Sequence, residues 1–522
     1  MDEIIYPVGE QDFPKLREMG MFYADKTALI HRLVTRGNYY FLSRPRRFGK
    51  SLLLSTLEAY FQGRRELFQG LAIEQLERDW TPHPVLRLDM SRDKYSSVAN
   101  LMSMLDGMLA AYERQYGITP AAGDSHATRL NRLIETAYEQ TGQRVVVLVD
   151  EYDAPMLDSL TDMARMQEVR NIMRGVYSPL KAQAARLRFV LLTGITKFAQ
   201  MSIFSELNNL MNISMSPEYE TLCGITAEEI ATQMRPGVEA LAEYHHCTPE
   251  QMLDTLRRNY DGYHFSEDML ADIYNPFSLV KVFQYKKLDS YWFESGMSSW
   301  LIELLRQHSM DLPDMERVMT ERDSFDTPTD NLVDLIPLLY QGGYLTIKDY
   351  EPEDEVFTLG IPNQEMRRGL SKGLVRYLLP LSTERNYLRR AYLDLKAAGD
   401  MAAFMPVLTD FYRSIPYDIS APTEKHYQAL LYTMLVAQGA DVSADVSAED
   451  RTSDGRIDIV LRMPREIYVI ELKLGHTAAE AMEQLRHKDY AAKYRHDGRP
   501  VRLMAINISP DTRTIDDWLL QD

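Results

Sequence analysis

The sequence contains few cysteines and no long apolar run. Its two cysteines, Cys223 and Cys247, are far from a C-x-x-C spacing, which excludes a disulfide framework and a cysteine-based zinc site. No apolar run reaches the ~20 residues that span a bilayer. The N-terminal segment lacks the basic start and apolar core of a signal peptide. We therefore expect a cytoplasmic protein with no membrane partner.

Basic charge is also scarce. There are 58 Lys and Arg residues against 76 Asp and Glu, which gives a formal net charge of −18. This balance disfavours broad non-specific binding to nucleic acid, so any such contact must use a local basic surface. A content of 45% hydrophobic and 26% charged residues is typical of a globular protein. The length predicts about two to four domains.

An apolar, strand-sized segment leads into Gly49, Lys50 and Ser51, and a helical pattern follows. Backbone N–H groups at a helix N-terminus attract phosphate oxygens, and a glycine lets the backbone approach them closely. We expect Lys50 to reach the β- and γ-phosphates and Ser51 to bind Mg²⁺. Arg44 stands where the G-x-x-x-x-G-K-[ST] pattern has its first glycine, so the tripeptide alone fits an ordinary helix start equally well. We call residues 44–51 the candidate phosphate loop.

A second signal lies about a hundred residues further on. An apolar, mostly β-branched run at 145–149 ends in Asp150 and Glu151, which would lie at the carboxyl edge of a parallel sheet. We expect Asp150 to hold Mg²⁺, and Glu151 to orient and deprotonate the attacking water. An acidic surface turn is the structural alternative, and the candidate phosphate loop makes it less favoured.

Two weaker signals follow in the same region. Thr193, at the end of a strand predicted at 187–192, is a candidate contact to the γ-phosphate or the lytic water, although a plain turn after the strand is favoured. Arg170 and Arg174 lie one helical turn apart. For these two arginines a solvated helix face is favoured over the role of an arginine finger.

The middle of the chain predicts two smaller modules. The pattern at 225–285 is helical and suits a lid over a nucleotide. At 286–383, short helices precede a glycine-bounded hairpin, which indicates a winged-helix-like module. Packing against the first region is favoured over DNA reading for this module, because the acidic turn at 351–355 would repel phosphates.

The last hundred residues hold a second group of charged residues. Strand alternation over 467–474 places Glu471 and Lys473 on one face, and Asp458 lies in the preceding strand. Two carboxylates could bind Mg²⁺, and the ammonium could position a water or stabilise developing charge. A structural ion pair at a sheet edge is the alternative. Glu424, on the apolar stripe of a helix, is a further candidate metal ligand, and a first-turn acid favoured by the helix dipole explains it equally well.

A basic segment follows this strand. From 486 to 502 there are six basic residues against Asp489 and Asp497, so this is the best candidate surface for phosphates, although a solvated helix is slightly favoured. The candidate nucleic-acid contacts are Gln484, Arg486, Lys488, Tyr490 and Lys493.

Seven segments together resemble one family. They are RPRRFGKS, VVVLVDEYDAP, FVLLTGITKF, IFSELNNL, YNPFS, GRIDIV and YVIELKL. In this combination the chain resembles, over nearly its whole length, bacterial AAA-ATPase-like proteins that carry a C-terminal PD-(D/E)XK nuclease superfamily domain. Arg44 departs from the general phosphate-loop pattern but agrees with this family. Ile457 departs from the superfamily pattern, in which a proline commonly precedes the first aspartate.

The patterns and the resemblance together imply an α/β fold in four parts. These are a P-loop NTPase core of the ASCE, AAA-like type with a parallel sheet at 1–224, a helical lid at 225–285, a winged-helix-like module at 286–383, and an α/β restriction-endonuclease-like PD-(D/E)XK domain at 384–522.

The resemblance also implies roles for particular residues. In the first half it implies Walker A and Walker B chemistry with ATP and Mg²⁺ for Lys50, Ser51, Asp150 and Glu151. The further expected nucleotide contacts, from their position in the loop or at a strand end, are Arg46, Arg47, Phe48, Gly49, Leu52 and Thr193. In the last domain it implies metal-dependent phosphodiester hydrolysis by Asp458, Glu471 and Lys473, with Glu424 and Gln484 in supporting positions.

We therefore expect an ATP-binding and ATP-hydrolysing protein coupled to a Mg²⁺-dependent nuclease-like domain. Its partner is expected to be nucleic acid, with DNA favoured over RNA, and a homo-oligomer is allowed. The alternative is a nucleotide-dependent conformational switch whose nuclease-like domain only binds nucleic acid or protein. A helicase-like motor ranks last, since no further motif supports it.

Overall fold

A computed structural model describes most of the chain. The described residues are 4–92, 94–159, 162–196, 210–294, 301–302, 304–305, 308, 310–326, 335–415, 423–440, 446–452, 455–494 and 496–521. Three features that carried the sequence analysis lie wholly or partly outside these ranges. They are the end of FVLLTGITKF, all but the last residue of IFSELNNL, and Arg495.

The chain divides into two compact units. Unit one comprises Met1–Asp289 and Val318–Pro362, and unit two comprises Ser290–Arg317 and Asn363–Asp522. The module predicted at 286–383 is therefore shared between the two units.

Unit one is an α/β structure. Its helices are α1 (Phe13–Glu18), α2 (Thr27–Arg36), α3 (Lys50–Phe61), α4 (Ile73–Leu76), α5 (Val98–Tyr116), α6 (His126–Thr141), α7 (Ala154–Leu157), α8 (Met163–Tyr177), α9 (Pro179–Ala182), α10 (Ala227–Thr232), α11 (Arg235–Tyr244), α12 (Pro249–Tyr260), α13 (Pro276–Tyr285) and α14 (Leu335–Gln341). Its strands are β1 (Tyr39–Ser43), β2 (Val85–Asp89), β3 (Val145–Asp150), β4 (Leu187–Gly194), β5 (Met211–Asn212), β6 (Ile225–Thr226), β7 (Ile273–Tyr274), β8 (Val318–Glu321), β9 (Thr346–Glu351) and β10 (Val356–Gly360).

The central sheet of unit one is parallel, with the strand order β2-β3-β4-β1-β5. The candidate phosphate loop follows β1, and the acidic pair follows β3. Strand β4 lies between them, with Thr193 beside Leu42 of β1. All three predicted strand ends therefore meet at one edge of the sheet, which is where ligands bind in open α/β sheets.

The burial of this sheet explains the apolar sequence of its strands. Every residue of β3 is buried, and Val145, Val147 and Val149 belong to one cluster with residues of α5, α6 and α8. Parallel strands covered on both faces need apolar side chains on both faces, which gives a continuous rather than an alternating apolar run. The predicted α/β fold with a parallel sheet is confirmed.

The segments after the central sheet form the predicted helical region and hairpin. Helices α10 and α12 both begin with a capping box, which satisfies backbone N–H groups in the first turn. Strands β8, β10 and β9 form an antiparallel sheet in that order. In the hairpin predicted from the sequence, the first strand begins at Thr346. Residues 335–341 before it are helical, and Gly343, with φ +80°, lies between the helix and the strand.

Unit two combines helices with a mixed sheet. Its helices are α15 (Gln364–Leu378), α16 (Ser382–Ala398), α17 (Met401–Ser414), α18 (Glu424–Ala437) and α19 (Ala478–His487). Its strands are β11 (Val446–Thr452), β12 (Gly455–Arg462), β13 (Ile467–Leu474), β14 (Val501–Ile508) and β15 (Ile515–Gln521).

The strands of unit two lie in chain order in one five-stranded sheet. Only the pair β13 and β14 is parallel among the pairings described. Helix α18 packs against β11 and β13, and α19 packs against β13 and β14. The predicted charged strand is therefore the centre of this sheet.

Among the helices that the structure describes, none has the length and apolar character needed to cross a bilayer.

Candidate nucleotide and nuclease sites

The candidate phosphate loop has two residues in left-handed backbone conformations. Gly49 has φ +93° and immediately precedes α3, and Arg47 has φ +67°. Glycine reaches this region without strain, whereas an arginine there is strained. An added Cβ at Gly49 would meet no atom within 4 Å, so the backbone conformation and not crowding favours glycine. The amide groups at the start of α3 are thus left uncovered by a side chain at position 49.

Lys50 lies inside the loop. It is only 4% exposed, and its Nζ donates to the carbonyl oxygen of Arg44 at 2.9 Å and to that of Pro45 at 3.1 Å. Burial lowers the pKa of its ammonium, and the nearby carboxylates of Glu151, Asp150 and Asp153 act in the opposite direction. The cation is therefore held at the loop by backbone carbonyls, beside the acidic strand end.

Arg44 fixes the start of the loop to another part of unit one. Its guanidinium is 1% exposed and donates to the carbonyl oxygens of Ser43 at 2.9 Å and Ser214 at 2.6 Å. The same guanidinium lies 4.2 Å from the centre of the Phe265 ring. The residue that replaces the usual first glycine thus points away from the loop interior and anchors the loop after β1.

The acidic end of β3 is joined to β4. Asp150 is 2% exposed and accepts a hydrogen bond from Thr193 Oγ1 at 3.0 Å. Arg87, from β2, places Nη2 at 3.7 Å from Asp150 Oδ2 and donates to the carbonyl oxygen of Ser51 at 3.3 Å. Glu151 has φ +48°, and burial raises the pKa of its carboxyl while Lys50 opposes that rise. Residues of the two neighbouring strands β2 and β4 therefore hold the Asp150 carboxylate at the end of β3.

Asp153 was not singled out from the sequence, although it lies in the DEYD segment. Its carboxylate is fully buried and accepts hydrogen bonds from Thr196 N at 2.7 Å and from Thr196 Oγ1 at 2.6 Å. Tyr152 donates its hydroxyl to the Thr196 carbonyl oxygen at 3.0 Å. These bonds clamp the turn after β3 to the turn after β4. The clamp therefore joins the two turns next to the point where Thr193 contacts Asp150.

Gly194→Ala tests this clamp. An added Cβ would lie 2.6 Å from Asp153 Oδ1 and 2.6 Å from the Tyr152 ring, so the turn must move. We expect a loss of about 1–3 kcal/mol in the free energy of unfolding of unit one, measured by calorimetry of the full chain. Gly175→Ala in α8 is the control, since its Cβ would meet nothing within 4 Å and should change stability by about 1 kcal/mol or less. Equal stability of the two variants would contradict the account.

A cavity of about 440 Å³ opens at the candidate phosphate loop. Its charged and polar lining residues are Glu10, Gln11, Lys26, Arg46, Arg47, Lys50, Ser51 and Glu151. The rest of the lining is mostly apolar and includes residues from distant segments, which contribute Pro7, Val8, Gly9, Phe22, Tyr23, Ala24, Leu222, Cys223, Gly224, Ile225, Pro276, Phe277 and Val280. A lining that combines cationic and apolar side chains suits an anionic group that carries a ring system.

The cavity brings together most of the predicted nucleotide contacts. All of residues 46–52 and Glu151 line it, whereas Asp150 and Thr193 lie behind Glu151 and contact each other. The Phe48 ring is buried 4.9 Å from Tyr263 and 5.3 Å from Phe265, measured between ring centres, so it anchors the loop. Neither Arg170 nor Arg174 is among the described residues that line the cavity.

The apolar walls were missed by sequence reasoning. Residues 7–9 and 22–24 precede the first strand and have no periodic pattern that would assign them to a site. The YNPFS segment did carry a usable signal, because Pro276 and Phe277 both line the cavity.

In unit two, Glu471 is the centre of the charged group on β13. It is 2% exposed, and its Oε1 accepts hydrogen bonds from Lys473 Nζ at 3.1 Å and from Gln484 Nε2 of α19. Among the described residues, Oε2 of Glu471 is buried without a hydrogen-bond partner. Burial, together with the charge of Asp458, raises the pKa of this carboxyl to about 7.

The other predicted residues surround Glu471. Asp458 Oδ2 accepts a hydrogen bond from the backbone N–H of Leu472 at 2.8 Å. Glu424, in the first turn of α18, accepts from Leu474 N at 3.2 Å and lies 3.6 Å from Lys473 Nζ. Burial disfavours the Lys473 charge, but the carboxylates of Glu471, Glu424 and Asp458 together raise the pKa of its ammonium. The structure thus brings Asp458, Glu471, Lys473, Glu424 and Gln484 together.

These carboxylates are not gathered as metal ligands are. Within the described ranges, no group of three His, Cys, Asp or Glu side chains has the spacing of a metal site. The buried, unpartnered Oε2 of Glu471 is nevertheless an atom that a cation would satisfy.

The candidate nucleic-acid contacts separate into two sets. Tyr490 is fully buried in the core between the sheet and α19, so its ring is part of that core and does not face a nucleic acid. Gln484 is bound to Glu471, as described above. Arg486 donates to Gln521 at 2.9 Å, Lys488 lies 5.5 Å from the centre of the Tyr490 ring, and Lys493 lies 5.8 Å from that of Tyr494. Arg486 and Lys493 are exposed and Lys488 is half-buried, and all three remain surface candidates.

Two known protein families match the chain, one in its first half and one at its C-terminal end. A family model described as a predicted AAA-ATPase matches residues 7–204, and one described as the PD-(D/E)XK nuclease superfamily matches residues 422–518. The "Uncharacterized protein in vnfD 5'region" of Azotobacter chroococcum mcd 1 is 35% identical over 521 residues, which cover 98% of this chain and 97% of that protein. The chain belongs to the AAA-ATPase-like family with a C-terminal PD-(D/E)XK nuclease superfamily domain.

Each of the two family models covers residues of one candidate site. The AAA-ATPase-like match includes the candidate phosphate loop, Asp150, Glu151 and Thr193, but ends before the cavity walls at 222–225 and 276–280. The PD-(D/E)XK match includes every residue of the charged group around Glu471. The resemblance seen in the sequence is confirmed. Proteins of these two families generally act with a nucleotide and with a divalent metal, respectively.

Proposed function

We propose that this AAA-ATPase-like protein binds and hydrolyses ATP with Mg²⁺ in unit one, and that its PD-(D/E)XK domain cleaves nucleic acid with Mg²⁺. The observation that carries the proposal is the cavity of about 440 Å³, whose lining combines Lys50, Ser51 and Glu151 with further cations and with apolar residues. Cavities of this size commonly hold cofactors, and the cations of the candidate phosphate loop match a triphosphate.

The residues of unit one fit ATP. The uncovered backbone at Gly49 and the start of α3 would accept the phosphates, and Lys50 would exchange its loop carbonyls for phosphate oxygens. Ser51 and Asp150 would hold Mg²⁺, which neutralises charge that develops on the phosphates when it is bound. Glu151 would orient and deprotonate water, and its raised pKa makes it a stronger base than an ordinary glutamate. The apolar walls would take the base.

One atom in unit two favours a divalent cation, although among the described residues the carboxylates around it do not have the spacing of a metal site. Glu471 Oε2 is buried without a partner among the described residues, which is costly unless another group satisfies it. Asp458, and Glu424 from α18, would have to approach it to complete a carboxylate set. When bound, Mg²⁺ would supply a water of lowered pKa and polarise the phosphodiester. Lys473 would stabilise the charge that develops on the phosphate, and Gln484 holds Glu471 in place.

We take DNA as the first substrate to test, with Arg486, Lys488 and Lys493 as the cations that contact its backbone. The two free cysteines favour the reducing cytoplasm as the compartment of this activity. In this proposal ATP turnover controls cleavage.

A panel of substrates tests the proposal. Purified full-length protein would be incubated with linear, branched and single-stranded DNA and with RNA, with and without Mg²⁺ and ATP. We expect cleavage that needs Mg²⁺ and responds to ATP. Absence of cleavage on every substrate, together with tight nucleotide retention and no phosphate release, would favour the conformational switch instead.

A further inference from the structure

Four cationic side chains line the cavity among the residues that the structure describes. They are Lys26, Arg46, Arg47 and Lys50. Three of them are engaged by the protein itself. Lys26 Nζ lies 2.6 Å and 2.7 Å from the two carboxylate oxygens of Glu229, and Lys50 is bound by loop carbonyls. The Arg47 guanidinium lies 4.2 Å from the centre of the Phe277 ring.

Arg46 differs from the other three. Its side chain is exposed, and within the described part of the chain no hydrogen bond, ion pair or ring contact holds it. It acts electrostatically on Glu151, whose carboxyl lines the same cavity. Arg46 lies in the loop that also presents Lys50 and Ser51, so its side chain can reach the phosphates that this loop would bind.

We propose that Arg46 is a catalytic residue that stabilises the transferring γ-phosphoryl group in cis, so that one chain hydrolyses ATP without an arginine from a second copy. This inference rests on the proposed ATPase activity. An arginine suits the role because its planar, permanently charged guanidinium can donate to two phosphoryl oxygens at once.

The step that Arg46 assists is simple. A water oxygen forms a bond to the γ-phosphorus while the bond between that phosphorus and the β,γ-bridging oxygen breaks. The bridging oxygen leaves with the electron pair as part of ADP, and Glu151 accepts the proton of the water. Arg46, in the loop that would hold the phosphates, would stabilise the negative charge on the γ-phosphoryl oxygens in this step.

The contacts that the other cations make with the protein leave them less suited than Arg46 to contact the γ-phosphoryl group. Moving Lys26 would break its pair with Glu229, and moving Arg47 would remove its contact with Phe277. Arg170 and Arg174, the arginines singled out from the sequence, lie on α8, outside the cavity lining described here. Arg170 donates to Gln167 of its own helix at 3.3 Å.

Steady-state hydrolysis and nucleotide binding by the full chain test the inference. Arg46→Ala should lower kcat by about 10³-fold, while the Kd for ADP should change by less than about threefold, since ADP lacks the group that Arg46 contacts. Arg46→Lys should recover only part of the rate, because the ammonium cannot donate in the same planar fork. Arg170→Ala and Arg174→Ala are the matched controls and should keep wild-type kcat. The rate per chain of the wild type should not change on dilution.

Three results would overturn the role of Arg46. These are a wild-type kcat in Arg46→Ala, a large loss in Arg170→Ala or Arg174→Ala, and a rate per chain that falls as the protein is diluted. Each of these results can be obtained only if the wild type hydrolyses ATP. A wild type that binds ADP but releases no phosphate would instead overturn the proposed function itself, and this inference with it.

Discussion

Glu151→Gln should bind ATP as tightly as the wild type and hydrolyse it about 10²–10⁴-fold more slowly. Glutamine keeps the shape of the side chain but cannot accept the proton of the attacking water. The loss should therefore appear in kcat, measured by phosphate release, while the affinity for ATP, measured by equilibrium binding, is retained. Glu168→Gln, at an exposed position of α8, is the control and should leave both quantities unchanged.

The pH dependence of the wild type supplies a second measure of Glu151. Burial raises the pKa of its carboxyl, and Lys50 only partly opposes this. Because the base must be deprotonated, kcat should fall as the pH is lowered through that pKa, at a higher pH than for an ordinary glutamate of pKa 4.5. Wild-type turnover by Glu151→Gln would show that another group takes the proton.

Glu471→Gln should remove nucleic-acid cleavage almost completely. The carboxylate is proposed as a metal ligand, and a bound metal ion contributes several kcal/mol of transition-state stabilisation, so the expected loss is about 10³-fold or more. Cleavage of labelled DNA at saturating Mg²⁺ measures it. Glu483→Gln, at an exposed position of the neighbouring helix α19, changes the same charge and should cleave normally.

The same substitution has an expected effect on stability. Burial and the charge of Asp458 raise the pKa of Glu471 to about 7. Between the ordinary value of 4.5 and about 7, the folded protein keeps the proton while the unfolded chain has lost it. Metal-free stability should therefore fall as the pH rises through this window. Glu471→Gln should lose this slope, and Mg²⁺ should restore wild-type stability above pH 7 by replacing the proton. A pH-independent unfolding midpoint in the wild type would contradict the buried, unpartnered carboxylate.

The parallel sheet was predictable because its signals are local. The apolar runs at 145–149 and 189–192 are continuous and lie in β3 and β4, and each ends at the polar residue that the structure places at the sheet edge. Gly49, Lys50, Asp150 and Glu151 could be assigned for the same reason. The burial of Arg44 could not be predicted from the sequence. One of the carbonyl oxygens that bind it belongs to Ser214, which is far along the chain.

The environment of the second site was only partly predictable. Alternation placed Glu471 and Lys473 on one face of β13, yet Val469 on that same face is fully buried, as are Tyr468 and Leu472 on the other. Packing of α19 against the strand, which alternation does not report, explains the burial of Glu471 and its raised pKa. Tyr490 was misassigned to the surface because a basic neighbourhood in sequence says nothing about which residue turns inward.

The most direct test of the account is phosphate release from Mg²⁺-ATP by full-length wild type and by Lys50→Ala. Lys50 donates to two backbone carbonyls of the loop, and the carboxylates of Glu151 and Asp150 act on its charge. The account predicts steady turnover by the wild type and none above background by Lys50→Ala. Equal phosphate release by the two proteins would contradict it, because the cavity would then not be the place where ATP is hydrolysed.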